Sequence, residues 1–164
     1  MMIVLRFVHV VCGVLWVGAV VFVAAFLLPS LRAVGPAAGP VMAQLAQVRK
    51  YPVYMMALAT LVLLSGISLL MSEPPGWMQS PTGRTFSAGA TIAIIGAIFG
   101  MVTTSPAAKK MGAIAAAAGK RGGPPSPEEA AELQRLQTKV AASTRLVAVL
   151  LVIATAAMAV ARYV

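Results

Sequence analysis

The sequence predicts an all-α integral membrane protein, a four-helix bundle with helical extensions into the cytoplasm, on three observations. Of its 164 residues, 60% are apolar and 10% are charged, where a soluble domain averages about 45–50% and about 25%. Four stretches supply the roughly 20 mostly apolar residues that a helix needs to cross a bilayer. None of the four alternates with the period of two that a membrane-barrel strand requires. A mean hydropathy of +0.90 agrees. A cytosolic globular domain, a disordered chain and a disulfide-stapled module are excluded, and residues 1–164 read as a single transmembrane domain.

The first span covers about residues 3–28, broken by Arg6 and His9, with Pro29 expected to end it. Its apolar run is too long, and its basic region too slight, for a cleaved signal peptide, so it reads as a retained span. In the following PVMAQLAQVRKYP, Pro40 suits a first helical position, and Val41, Leu45 and Val48 fall on one face. Tyr51 and Tyr54 suit the membrane interface. The second span covers about residues 52–71. Between Ser72 and Thr85, three prolines and two glycines speak against a helix, and Trp77 suits the headgroup level.

The third span, about residues 86–104, closes at Ser105-Pro106, and its helix is expected to run on through AAKKMGAIAAAAG to Gly119. GKRGGPPSP is a turn. Ser126-Pro127-Glu128-Glu129 then has the form of a capping box, with Ser as N-cap and Glu three residues on. No proline or glycine follows, which predicts one helix of about 35 residues, roughly 50 Å at 1.5 Å per residue. It contains the fourth span, about residues 146–161, and a stripe of Leu133, Leu136, Val140, Thr144 and Val147. Residues of about 106–143 thus form a helical hairpin outside the bilayer, either a docking arm or a solvated extension.

Thirteen Lys and Arg face four acids, for a net charge of +9. Ten of the cations fall in the first and third connections: Arg32, Arg49, Lys50, Lys109, Lys110, Lys120, Arg121, Arg135, Lys139 and Arg145. Three, Arg6, Arg84 and Arg162, lie on the other side. Basic connections stay in the cytoplasm, which puts both termini outside. Basic residues interleaved with aromatics are absent, so nucleic acid is not an expected partner. Arg49, Lys50, Lys109, Lys110 and Arg145 lie at the inner boundary, either snorkelling as a solvated edge or holding anionic lipid headgroups.

Small residues matter where helices meet in lipid, because they let backbones approach. Gly89, Ala93, Gly96 and Gly100 share one face of the third span, and the first span has Gly13 and Gly18. The face reads either as internal packing, or as a dimer surface or a groove of cofactor width. His9, the sole histidine, lies about two turns inside the first span, where an ionisable group is costly and turns to the protein interior. Cys12, Gly13, Trp16 and Val20 lie on a similar face. One reading is a neutral imidazole hydrogen-bonded to a carbonyl or hydroxyl. The other is a ligand to haem iron or copper, with Gly13 and Trp16 beside a flat group. With one histidine, two imidazoles cannot come from one chain. Met158, at a comparable depth on the fourth span, is the geometric candidate for a second ligand. There is no Asp for a Ser/His/Asp triad, no carboxylate in the spans, and no phosphate-binding loop.

The segment LRFVHVVCGVLWVGAVVFVAAFLLPSL resembles the first helix of small four-span bacterial membrane proteins related to copper resistance protein D and to an uncharacterised predicted membrane family. The matching residues are His9, Gly13, Trp16, Gly18 and Pro29. KYPVYMMALATLVLLSGISLL is also similar to that group, with Gly66 at a recurrent glycine. His9 further resembles the early membrane histidine of the small haem-containing four-helix protoporphyrinogen oxidase. The resemblance implies the bacterial inner membrane and a role in copper or haem handling. The expected function is a non-catalytic accessory or structural subunit, in a larger assembly or a homodimer. Haem b at His9 is the first cofactor reading, copper the second, and a haem-dependent oxidoreductase the enzymatic alternative.

Overall fold

The computed structural model describes residues 2–35 and 38–164, and among them there is no strand. Four helices are long and apolar enough to cross a membrane: α1 (Met2–Val34), α3 (Tyr51–Met71), α4 (Pro81–Lys120) and α5 (Pro127–Tyr163). A short helix α2, residues 38–48, precedes α3. The chain is a multi-pass membrane protein. Its large apolar side chains project outward, among them Phe7, Leu64, Ile98 and Val149, as lipid contact requires.

Pro29 does not end the first helix. Proline removes a backbone donor and crowds the carbonyl four residues before it. Here a wider π-helical turn, Val23–Leu27, stands just ahead of it, and helix resumes through Val34. The same device precedes Pro106, where Gly100–Thr104 forms a π turn and α4 continues to Lys120. A third π turn, Gln44–Val48, closes α2; Lys50 then turns left-handed at φ 51°, separating α2 from α3. Val41 and Val48 of α2 are exposed, and Leu45 between them is half-buried.

The connection after α3 is shorter than its composition suggests. Helix α4 begins at Pro81, because proline is tolerated in a first turn and Ser80 caps it by accepting from the Gly83 amide at 3.0 Å. A single 3-10 turn, Trp77–Gln79, sits over this start, with Trp77 tilted against Phe86 at 5.8 Å.

Helices α4 and α5 pack antiparallel along most of their length. The register sets Gly89 against Met158, Gly96 against Leu151 and Gly100 against Val147, and joins the Thr104 hydroxyl to Ser143 at 2.9 Å. The glycine face of the third span is therefore spent on internal packing. By contrast, among the described residues nothing lies within 4 Å of the Cβ positions of Gly13 and Gly18. Helices α1 and α3 form the other close pair, and α1 also packs on α5. All three meet in a core of Trp16, Val20, Ala24, Leu58, Val62, Val147, Ala148 and Leu151, with Ala93 and Ala97 of α4 at its margin.

At the basic end, the last part of α4 and the first part of α5 lie against each other. The capping box is complete: Ser126 accepts from the Glu129 amide, and the Glu129 carboxylate accepts from the Ser126 amide. Leu136, Thr144 and Val147 of the predicted stripe are buried. Lys110 reaches Glu132 across the pair at 2.7 Å, and Arg135 holds the same carboxylate from one turn on. Hydrogen bonds from Arg135 and then Lys110 pull Glu132 down to about 2 from the ordinary 4.5. A depressed carboxylate stabilises the fold above its ordinary pKa, and that contribution is lost as pH falls through the folded value. Pairing at the hairpin should thus weaken from about pH 4.5 toward pH 2. Amide exchange of the hairpin, corrected for intrinsic rates, should rise between pH 5 and pH 3 in the wild type and rise less in Glu132→Gln, where only Glu128 and Glu129 still titrate against hairpin partners. The exposed site keeps this effect small.

Candidate functional site

His9 lies on α1 at the end that holds both termini, and its ring turns onto α3. Nδ1 is 3.0 Å from the Val62 carbonyl oxygen and 3.2 Å from the Ser65 hydroxyl oxygen. A carbonyl can only accept, so Nδ1 carries the proton and donates. The Ser65 hydroxyl turns back to donate to the carbonyls of its own helix, Leu61 at 2.5 Å and Val62 at 3.1 Å. In the neutral ring, Nε2 then keeps its lone pair.

Gly66 makes this contact available. On a helix the carbonyl of residue i is shielded by the side chains three and four residues later. At Val62 those positions are Ser65, which is small and polar, and Gly66, which has no side chain. A Cβ placed on Gly66 would lie 2.7 Å from His9 Cε1 and 3.1 Å from Nδ1. The imidazole fills the space that any other residue would occupy. Val62 and Ser65 are themselves buried, so the bond is made at the inner edge of the α1–α3 contact. Interhelical polar bonds in membrane proteins average about 0.6 kcal/mol and reach about 1.7.

The other residues singled out in the sequence go to several places. Trp16 is 6% exposed and sits in the core, with Cys12 packed at its margin. Gly13 faces open space. Met158 lies against Gly89 of α4, so its thioether and the His9 imidazole rest on different neighbouring helices. Among the described residues no group of three His, Cys, Asp or Glu is placed to hold a metal. Of the boundary cations, Lys110 is committed to Glu132, while Arg49, Lys50, Lys109 and Arg145 are exposed. Arg32 donates to the Gln137 carbonyl at 3.1 Å, tying α1 to α5 at the basic end.

No family model, no curated protein and no solved structure matches the chain. What the site can do rests on its own geometry: one tautomer-fixed imidazole, presented from α1, at the junction of two membrane helices.

The sequence alone does not name Val62 and Ser65 as partners of His9. The signal in the sequence is the adjacent Ser65-Gly66 pair inside an otherwise apolar helix. Polar and missing side chains at positions three and four after an apolar residue mark a carbonyl open to a partner.

Proposed function

We propose that this protein is a non-catalytic membrane subunit, working inside a larger assembly or as a homodimer, in which His9 joins the first two spans. The observation that carries this reading is the commitment of Nδ1 to the Val62 carbonyl, which gives the one intramembrane imidazole a structural use. In this reading the four helices form a bundle, their basic end lies in the cytoplasm and both termini lie outside. The bacterial inner membrane is the compartment that the likeness of the first two spans suggests.

One further reading draws on the same bond. Histidines that bind metals commonly donate the other ring nitrogen to a carbonyl, which fixes the tautomer and aims the lone pair. His9 has that arrangement, so its Nε2 would be the atom that holds haem b, or copper as the lesser alternative. A haem-dependent oxidoreductase would build on the same ligand. One chain offers one imidazole, so a complete site would draw on a second copy or another subunit.

The absorption spectrum and metal content of the purified protein separate these readings. A colourless, metal-free preparation, with His9→Ala lowering thermal stability and changing no spectral band, is the expected result. A Soret band lost in His9→Ala, or copper bound through His9, would replace the structural reading by the cofactor one.

A further inference from the structure

At the basic end of the α4–α5 contact lies a surface groove of about 260 Å³, lined by Phe99 and Thr103 of α4 and by Lys139, Ala142, Ser143 and Leu146 of α5. The α5 residues follow a spacing of three, one and three, so they form one stripe of that helix. Ala142 contributes only a methyl group, which leaves the floor low between the larger Phe99 and Leu146. The antiparallel register sorts the groove by polarity. Phe99 and Leu146 lie toward the apolar spans, and Thr103, Ser143 and Lys139 lie toward the basic end.

The hydroxyls are already engaged. Thr103 donates to Phe99 O, and Ser143 donates to Val140 O while accepting from Thr104. Lys139 has no ion pair among the described residues. Nor can the hairpin's own acids supply one. Glu128 is held by Ser126, Glu129 by Arg121, and Glu132 by Lys110 and Arg135. The groove thus combines an apolar channel opening toward lipid with a cation, at its headgroup end, that the chain leaves without a counter-charge.

We propose that this groove binds an anionic phospholipid, with an acyl chain over Ala142 between Phe99 and Leu146 and the phosphate on the Lys139 ammonium. The occupant is a membrane lipid because a soluble anion would leave the apolar half uncovered. The boundary cations Arg49, Lys50, Lys109, Lys110 and Arg145 do not line this groove.

Native mass spectrometry of the delipidated full chain, titrated with phosphatidylglycerol or phosphatidylcholine, tests this. The wild type should retain one phosphatidylglycerol about fivefold more tightly than phosphatidylcholine, whose phosphate is offset by its own choline, the preference that one lysine gives for a net anionic headgroup. Lys139→Gln should erase that preference. Ala142→Phe, at an exposed position, should fill the floor and lose both lipids, while Lys109→Gln should bind as the wild type does. Equal retention by the wild type and Lys139→Gln, or undiminished binding in Ala142→Phe, would overturn the proposal. So would full displacement by millimolar glycerol phosphate, which would mark a site for a soluble anion.

Discussion

Gly83→Ala should cost the fold about 3 kcal/mol, at the upper end of overpacking penalties, and should unseat the turn between α3 and α4. An added Cβ would overlap the Trp77 carbonyl oxygen and stand 2.8 Å from Met78 Cα. Both are backbone atoms, so no rotamer change relieves the overlap, and the whole Trp77–Gln79 turn must move away. Moving it separates Trp77 from Phe86 and disturbs Ser80, whose hydroxyl donates to Trp77 O and caps α4. A lost N-cap alone is worth about 1 kcal/mol. In a Trp16→Phe background, where Trp77 reports alone, its emission should shift toward that of solvated indole, and the thermal midpoint in detergent should fall. Unchanged emission and midpoint would show that the turn does not rest on this glycine.

Gly66→Ala should have the next largest effect, about 2 kcal/mol, combining a lost interhelical hydrogen bond with the displacement of a packed ring. The overlap here is with the His9 side chain, 2.7 Å from the new methyl carbon, so its relief is specific. In a His9→Ala background the ring is gone, and the same substitution should cost a few tenths of a kcal/mol or less. The double-mutant cycle should therefore show a coupling above about 1 kcal/mol, as contacting residues do. Additive costs in unfolding measurements would mean that Gly66 matters for a reason other than admitting the imidazole to Val62.

Hydropathy alone located all four spans, because lipid imposes a length and a composition that short-range physics can read. The capping box at Ser126 and the long helix after it were equally legible, since their signals are local. Prolines were less so. Pro29 reads as a stop, yet the helix passes it, because whether a proline ends a helix depends on the turn before it and on neighbours that hold the continuation. Pro81 reads as loop and is instead the first residue of α4. For the site, depth and cost marked His9, but its partners lie more than fifty residues away, and periodicity carries no information about which carbonyl on another helix stands uncovered. The glycine face of the third span was readable as a contact surface. That its contact is α5 of the same chain emerges only once the register is seen.

Each π turn inserts one residue beyond the α-helical count, so the helix after it is rotated by about 100° relative to an uninterrupted one. A wheel drawn at a constant period through residues 23–27 or 100–104 goes out of phase at that point. Removing a single residue from Val23–Leu27 would preserve a helix while swinging Arg32 off Gln137. The same deletion in Gly100–Thr104 would part the Thr104–Ser143 pair and recast the walls of the groove beside it. The apolar and basic halves of α1 and α4 are thus phased to one another by these insertions.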